Sequence, residues 1–275
     1  MSKFLMLALS SAAVTFAGPI VTVTDAMSLA QMLVGVGVTL SGTPTLTGVN
    51  GQAGTFAGGG TNLIGFSSGI ILSSGNVSSA SGNYAGANSP SASLGGAGSA
   101  LLSGLIGGAT TNDAVTLTFS FIPTASTVFF QYTFASAEYP NFVGSSFNDV
   151  FGFFVNGTNF AKIPGTNTAV SINNVNATTN AAFFNKYNAA GDTLPYGGQT
   201  KVLTFTAPVN PNVVNTFTLA IADTSDSILD SAVFIQAGSV STVPIGNSPE
   251  PASIGLMSAG LLGLGCLSRL RRKKA

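Results

Sequence analysis

The sequence has no histidine and no tryptophan, and its one cysteine, Cys266, lies in an apolar run near the C-terminus. Without histidine there is no imidazole general base, no Ser-His catalytic pair and no histidine metal site. A single cysteine excludes a disulfide framework and a cysteine–zinc site in the body of the chain. Without tryptophan, an aromatic platform for a sugar would need tyrosine or phenylalanine. Charge is scarce too. Asp, Glu, Lys and Arg make up 7% of the 275 residues, against ~25% in an ordinary globular protein.

Gly, Ser, Thr, Asn and Ala fill the place of the missing charges. Twenty phenylalanines, with many Val, Ile and Leu, supply enough apolar surface to build a core. The formal net charge of zero hides an asymmetry. Five of the nine basic residues fall in the last seven positions, Arg269, Arg271, Arg272, Lys273 and Lys274. Residues 18–247 carry eight acids against Lys162, Lys186 and Lys201, so three minus eight gives −5. A weakly acidic domain argues against nucleic acid as a partner, because phosphate binding needs basic patches.

Three segments follow from the chain in order. Residues 1–17 read as a secretory signal peptide and signal helix. Lys3 gives the positive start, Phe4 to Ala13 the apolar stretch, and Thr15-Phe16-Ala17 places small residues at the two positions a signal peptidase reads. Residues 18–247 read as the folded domain. Residues 248–275 begin with Pro249-Glu250-Pro251, continue with the apolar run Ala252 to Leu267, and end in the Arg/Lys cluster. That run, ~24 Å as a helix, reads as a transmembrane segment with a cytoplasmic basic end.

Within the domain, Asp25 to Val34 reads as a short helix that Asp25 can cap, with Ala26, Leu29, Ala30 and Leu33 at helical spacing. Val36 to Leu40 and Thr45 to Val49 read as two strands, and Gly69 to Gly75 as a buried strand. Gly58-Gly59-Gly60 is a loop without a phosphate-binding motif. Asn76 to Gly98 reads as a long surface loop, and Ala100 to Ile106 as one or two helical turns. Val115, Leu117, Phe119 and Phe121 alternate with polar residues, as do Val128, Phe130, Tyr132 and Phe134. This is the period of half-buried strands, here an antiparallel pair. Asp149 to Val155 reads as an inner strand ended by the Asn156-Gly157 turn. Further strands are expected at Phe160 to Ile163, Ala169 to Ile172, Val202 to Thr206, Phe217 to Ala222 and Ser231 to Ala237. Phe183, Phe184 and Tyr187 are expected to cover a sheet edge. Some ten short strands with few helices predict an all-β, jelly-roll-like antiparallel β-sandwich.

The acids cluster in sequence. Glu138 and Asp149 lie in one loop, and Asp223, Asp226 and Asp230 in one nine-residue span. Such oxygen ligands suit Ca²⁺, although the spacing is not that of an EF-hand. The bland reading is loop architecture, with Asp and Asn stabilising turns. The same acids, with Glu138 as proton donor, are the sole candidates for glycoside hydrolysis. Tyr139, Phe142 and Phe147 beside them read as loop anchors, and Ser145 and Ser146 lack a base. No catalytic residue is assigned, and the chain is read as a non-enzyme. A calcium site or a carboxylate pair requires the two acidic loops to share one end of the sandwich.

Two resemblances are carried by these segments. The ordered C-terminal triple resembles the PEP-CTERM sorting signal of Gram-negative bacteria. That resemblance implies processing by an exosortase, with Pro249, Glu250, Pro251, Arg269, Arg271 and Arg272 as signal residues. It also implies transient anchoring in the inner membrane, then the cell surface or exopolysaccharide matrix. The stretches GIILSSG (69–75), FASAEYPNFVGSSFNDVFGFFVNG (134–157), PGTNTAVSINNVN (164–176) and LAIADTSDSILDSAVFIQAG (219–238) resemble the choice-of-anchor L domain. This implies a surface module with a structural or adhesive role, or, alternatively, a calcium-dependent carbohydrate-binding module. A polysaccharide-active hydrolase is the distant third. An acidic Gly-Asp run of that family is here Gly95-Gly96-Ala97-Gly98, and a family Asp-Gly is here Gly197-Gly198.

Overall fold

A computed structural model describes residues 20–57, 64–84, 86 and 88–245. The expected signal peptide, the expected loop at Gly58-Gly59-Gly60 and the expected C-terminal sorting signal with Pro249, Glu250, Pro251, Arg269, Arg271 and Arg272 lie outside the described residues. The chain forms two compact units, 1–243 and 244–275; of the second, only Pro244 and Ile245 are described. Among the described residues no helix is long and apolar enough to cross a membrane.

Among the described residues, two antiparallel sheets form the body of the first unit. The larger runs β1 (Ile20–Thr22), β3 (Ala53–Ala57), β4 (Ser68–Ser73), β13 (Ser231–Gln236), β6 (Thr127–Ser136), β10 (Gly198–Thr200) and β9 (Phe184–Tyr187), with β11 (Leu203–Pro208) also on β6. The smaller runs β2 (Val38–Thr47), β5 (Thr111–Pro123), β12 (Asn215–Thr224), β7 (Val150–Val155) and β8 (Thr158–Asn159). Their inner faces meet in one core. Phe130 of β6 stacks on Phe153 of β7 at 4.3 Å, and Tyr132 of β6 meets Phe151 of β7 edge-on at 4.9 Å. The alternation read in β5 and β6 is what places these rings inside: in β5 every second residue from Thr111 to Pro123 is buried.

The small elements follow local chemistry. Asp25 accepts from the Met27 and Ser28 amides and starts α1 (Ala26–Leu33), which buries Leu29, Ala30 and Leu33 in the core. Ser99 caps α2 (Ala100–Ser103) with a side-chain bond to the Leu102 amide. Buried Leu102 packs with Val150, Phe154, Ala220 and Ala222 against the outer side of the smaller sheet. That cover explains why β7 is buried along its whole length.

Several expectations are corrected. Val36 to Leu40 and Thr45 to Val49 are not separate strands. One strand, β2, runs through Pro44 and keeps pairing β5 across an irregularity between Ser41 and Thr45. As an edge strand it tolerates a proline without an N–H. Phe160 to Ile163 and Ala169 to Ile172 form only isolated bridges, Lys162 to Ala169 and Ser171 to Val150, while β8 takes the pairing place beside β7. Phe184 and Tyr187 do not merely cover an edge; they lie in the edge strand β9. Asn76 to Gly98 is more than a surface loop, because its second half docks on the domain's acidic residues.

Candidate functional site

The inward register that fills the core with rings turns acidic at one end. On β12, Phe217, Leu219 and Ile221 point inward, and Asp223, the next residue in that series, is fully buried. On β5, Asp113 is also buried, at an irregularity that shifts the pairing from Ile221–Val115 to Asp223–Asn112. Asp149 directly precedes β7, and Glu138 lies two residues past β6. Asp230 directly precedes β13. Because Ser231 pairs with Ser136, and Ala222 with Val150, these strand ends coincide. The two acidic loops therefore share one end of the sandwich, as a joint site requires.

Asp149 holds this end together. Its Oδ1 accepts from the Thr224 amide at 2.9 Å, and its Oδ2 accepts from the Ser231 hydroxyl at 2.6 Å. The second bond links the smaller sheet to the larger. The loop at 90–96 seals the same end with main-chain donors. Ala92 N–H donates to Asp230 Oδ1 at 2.8 Å, Leu94 N–H donates to Asp113 Oδ2 at 2.9 Å, and Gly96 N–H donates to Asp113 Oδ1. A side chain at Gly96 would meet Asp113 Oδ1 at 3.0 Å, so the residue's small size fits this approach. Gln52 braces the site from below, donating to the carbonyls of Ser74 and Asp113. Three non-glycine residues at this end have positive φ, Asp113 within β5 and Ser225 and Leu229 in the loop after β12, a conformation that costs energy and needs support from its surroundings.

Donors run short. Both carboxylate oxygens of Asp223, Oδ2 of Asp230 and Oε2 of Glu138 are buried without a hydrogen-bond partner. The Ser74 hydroxyl lies near Asp223 but donates its proton to the Ser231 carbonyl at 3.3 Å. Lysines are engaged elsewhere: Lys186 with Asp192, Lys201 with the Ala182 carbonyl and Lys162 with Asn167. Burial and mutual repulsion therefore favour protonated acids. Burial first, then the charges of Asp149 and Asp226, push Glu138 up to about 9. Burial, opposed by the Ala92 amide, brings Asp230 to about 6. Asp149 and Asp223 are both raised, chiefly by burial, and Asp149 is the charge that weighs most on Asp223.

Of the five residues read from sequence as a cation site, Glu138, Asp149, Asp223 and Asp230 are buried together. Asp226 is half-buried in the turn above them, where its Oδ1 faces the Ile228 amide at 3.4 Å. Sequence reasoning missed Asp113. The signal was available, since an acid stands on the buried register of the clearest strand in the chain. Among the described residues no three carboxylates are placed closely enough to ligate one ion as they stand. Tyr139 is a loop anchor: its hydroxyl donates to the Val175 carbonyl, and its ring packs on Phe184 at 5.2 Å. Two hollows of about 80 and 310 Å³ flank Thr47, Gly48 and Val49, and neither is lined by a charged side chain.

Fold and site thus define an all-β domain whose two sheets are joined at an acidic end. The profile of the Choice-of-anchor L domain matches residues 22–241, and the chain belongs to that family. Membership indicates a surface-associated protein. All four stretches that carried the resemblance reach this end: Ser74 and Gly75, Glu138 and Asp149, Ser171 bridged to Val150, and Asp223 with Asp230. No curated protein matches the chain. Among solved structures, a selenomethionine-labelled β-glucosidase from Kluyveromyces marxianus is similar at 12% identity over 50% of this chain and 12% of that one, with a TM-score of 0.24. The chain thus spans a small part of that enzyme, and so low a score carries no argument.

Proposed function

We propose that this chain is an exported, exosortase-processed protein of the cell surface or extracellular matrix, and that its sandwich serves as a structural or adhesive module. The observation that carries the reading is the pairing of a choice-of-anchor L domain over 22–241 with Pro249-Glu250-Pro251, an apolar run and a basic end. In this reading the tripeptide and basic end are recognised by the processing enzyme, and the apolar run holds the chain in the inner membrane until cleavage. Exopolysaccharide is the partner that suits a neutral, hydroxyl-rich exterior. Burial of Glu138, Asp149, Asp223 and Asp230 supports a non-hydrolytic reading, because a glycosidase needs a carboxyl pair open to its substrate.

Intact mass of the mature protein, recovered from the cell surface, tests the processing. The expected mass lacks residues 1–17 and the segment after Pro249-Glu250-Pro251. A mass that retains 252–275 contradicts removal of the tail.

A further inference from the structure

The acidic end has a deficit that the described protein atoms do not fill. Six of the eight acids in residues 18–247 gather there, and none of that segment's three lysines faces them. A second observation points to a ligand. Asp223 is fully buried on the inner register, and neither of its oxygens accepts a hydrogen bond. Asp230 Oδ2 and Glu138 Oε2 are likewise buried without donors. Burying ionised carboxylates unpaired is costly, and a cation relieves that cost. The available donors are all hard oxygens, namely carboxylates, the Ser74 hydroxyl and main-chain carbonyls. With no histidine, and with the lone cysteine at position 266, softer metals find no preferred ligand in this segment.

We propose that the acidic end binds one divalent, oxygen-preferring cation of the calcium class, with Asp223 as its principal ligand and Asp149 as its nearest anionic neighbour. Since no three carboxylates converge as placed, carbonyls, hydroxyls and water complete the shell, as the flexible coordination of calcium allows. Glu138 and Asp230 add negative charge, and Asp226 stands at the solvent side of the site. Asp223 lies in β12 of the smaller sheet, and Asp149, which leads into β7 of that sheet, bonds Ser231 of the larger one, so the ion clamps the two sheets together. The proposal is independent of how the chain is anchored.

The test uses the full chain, stripped with chelator and returned to calcium or magnesium at pH 8. Equilibrium dialysis with elemental analysis counts bound ions, and thermal denaturation reads the stabilisation. One calcium per chain is expected, with an upward Tm shift of roughly 5–10 °C at a hundredfold excess over Kd. Asp223→Asn should weaken calcium binding by at least about tenfold, a change worth one ~1.4 kcal/mol step. Asp25→Asn, at the exposed cap of α1 where Met27 and Ser28 already satisfy the carboxylate, should bind as the wild type does. Absence of both a bound divalent ion and a Tm shift in the wild type overturns the proposal, whatever the folding of the variants. Undiminished binding by a folded Asp223→Asn overturns the assigned seat.

Discussion

Asp149 and Ser231 join the two sheets: the Ser231 hydroxyl donates to Asp149 Oδ2 at 2.6 Å, and both residues are fully buried. Removing the donor leaves a buried carboxylate oxygen without its partner. Ser231→Ala should therefore lower stability by about 1–3 kcal/mol, read as a lower urea midpoint with unchanged slope. A midpoint equal to the wild type's would mean that this bond does not carry the junction.

The pH dependence has a definite sign. Folded-state values of about 6 for Asp230 and about 9 for Glu138, with Asp149 and Asp223 also raised, stand above ordinary carboxylates near 4. The native chain then holds protons that the unfolded chain has released, so stability falls as pH rises. This contribution is fully present below about pH 4 and is lost as pH climbs through about 6 to 9. In chelator, the urea midpoint should decline from about pH 5 to about pH 9. Saturating calcium should flatten the decline. A midpoint that rises with pH in chelator contradicts the protonated, crowded state of these acids.

Gly75 is closed in by Asp230: a methyl there would meet Oδ2 at 1.8 Å. Gly75→Ala should displace the carboxylate from the Ala92 amide and cost about 1–3 kcal/mol. Gly104 has nothing within 4 Å of the same position and an ordinary helical backbone. Gly104→Ala should be neutral or stabilising by up to about 1 kcal/mol. Thermal denaturation of the two variants side by side separates crowding at the acidic end from a general intolerance of alanine.

Phe153 lies between Phe130 at 4.3 Å and Phe217 at 4.6 Å, both nearly parallel to it. It is fully buried between the sheets. Phe153→Ala should cost about 3–5 kcal/mol, the largest loss among these variants, measured by chemical denaturation.

The sheet layout was legible where one face is buried and the other is not. Alternation located β5 and β6 and set which residues point inward. It failed at Phe160 to Ile163 and Ala169 to Ile172, because a pattern only four residues long does not reveal whether a neighbour has a free edge. Local chemistry marked the Asp25 helix cap, since capping depends on adjacent residues. Spacing along the chain brought Glu138, Asp149, Asp223 and Asp230 into consideration, while their common end depends on long-range pairings such as Ser231 to Ser136. Asp113 escaped because it lies far in sequence from the other acids, although its place on the buried register marked it. The loop at 90–96 could not be read as a seal: its contribution is main-chain N–H groups, which every residue but proline possesses.

The central claim is a cation seated on Asp223, and diffraction tests it most directly. Crystals of the full chain grown with calcium, or with a lanthanide in its place, should give a single strong anomalous peak about 2.3–2.6 Å from an Asp223 carboxylate oxygen. A map with no peak at the acidic end, or with peaks confined to the protein surface, would contradict the account.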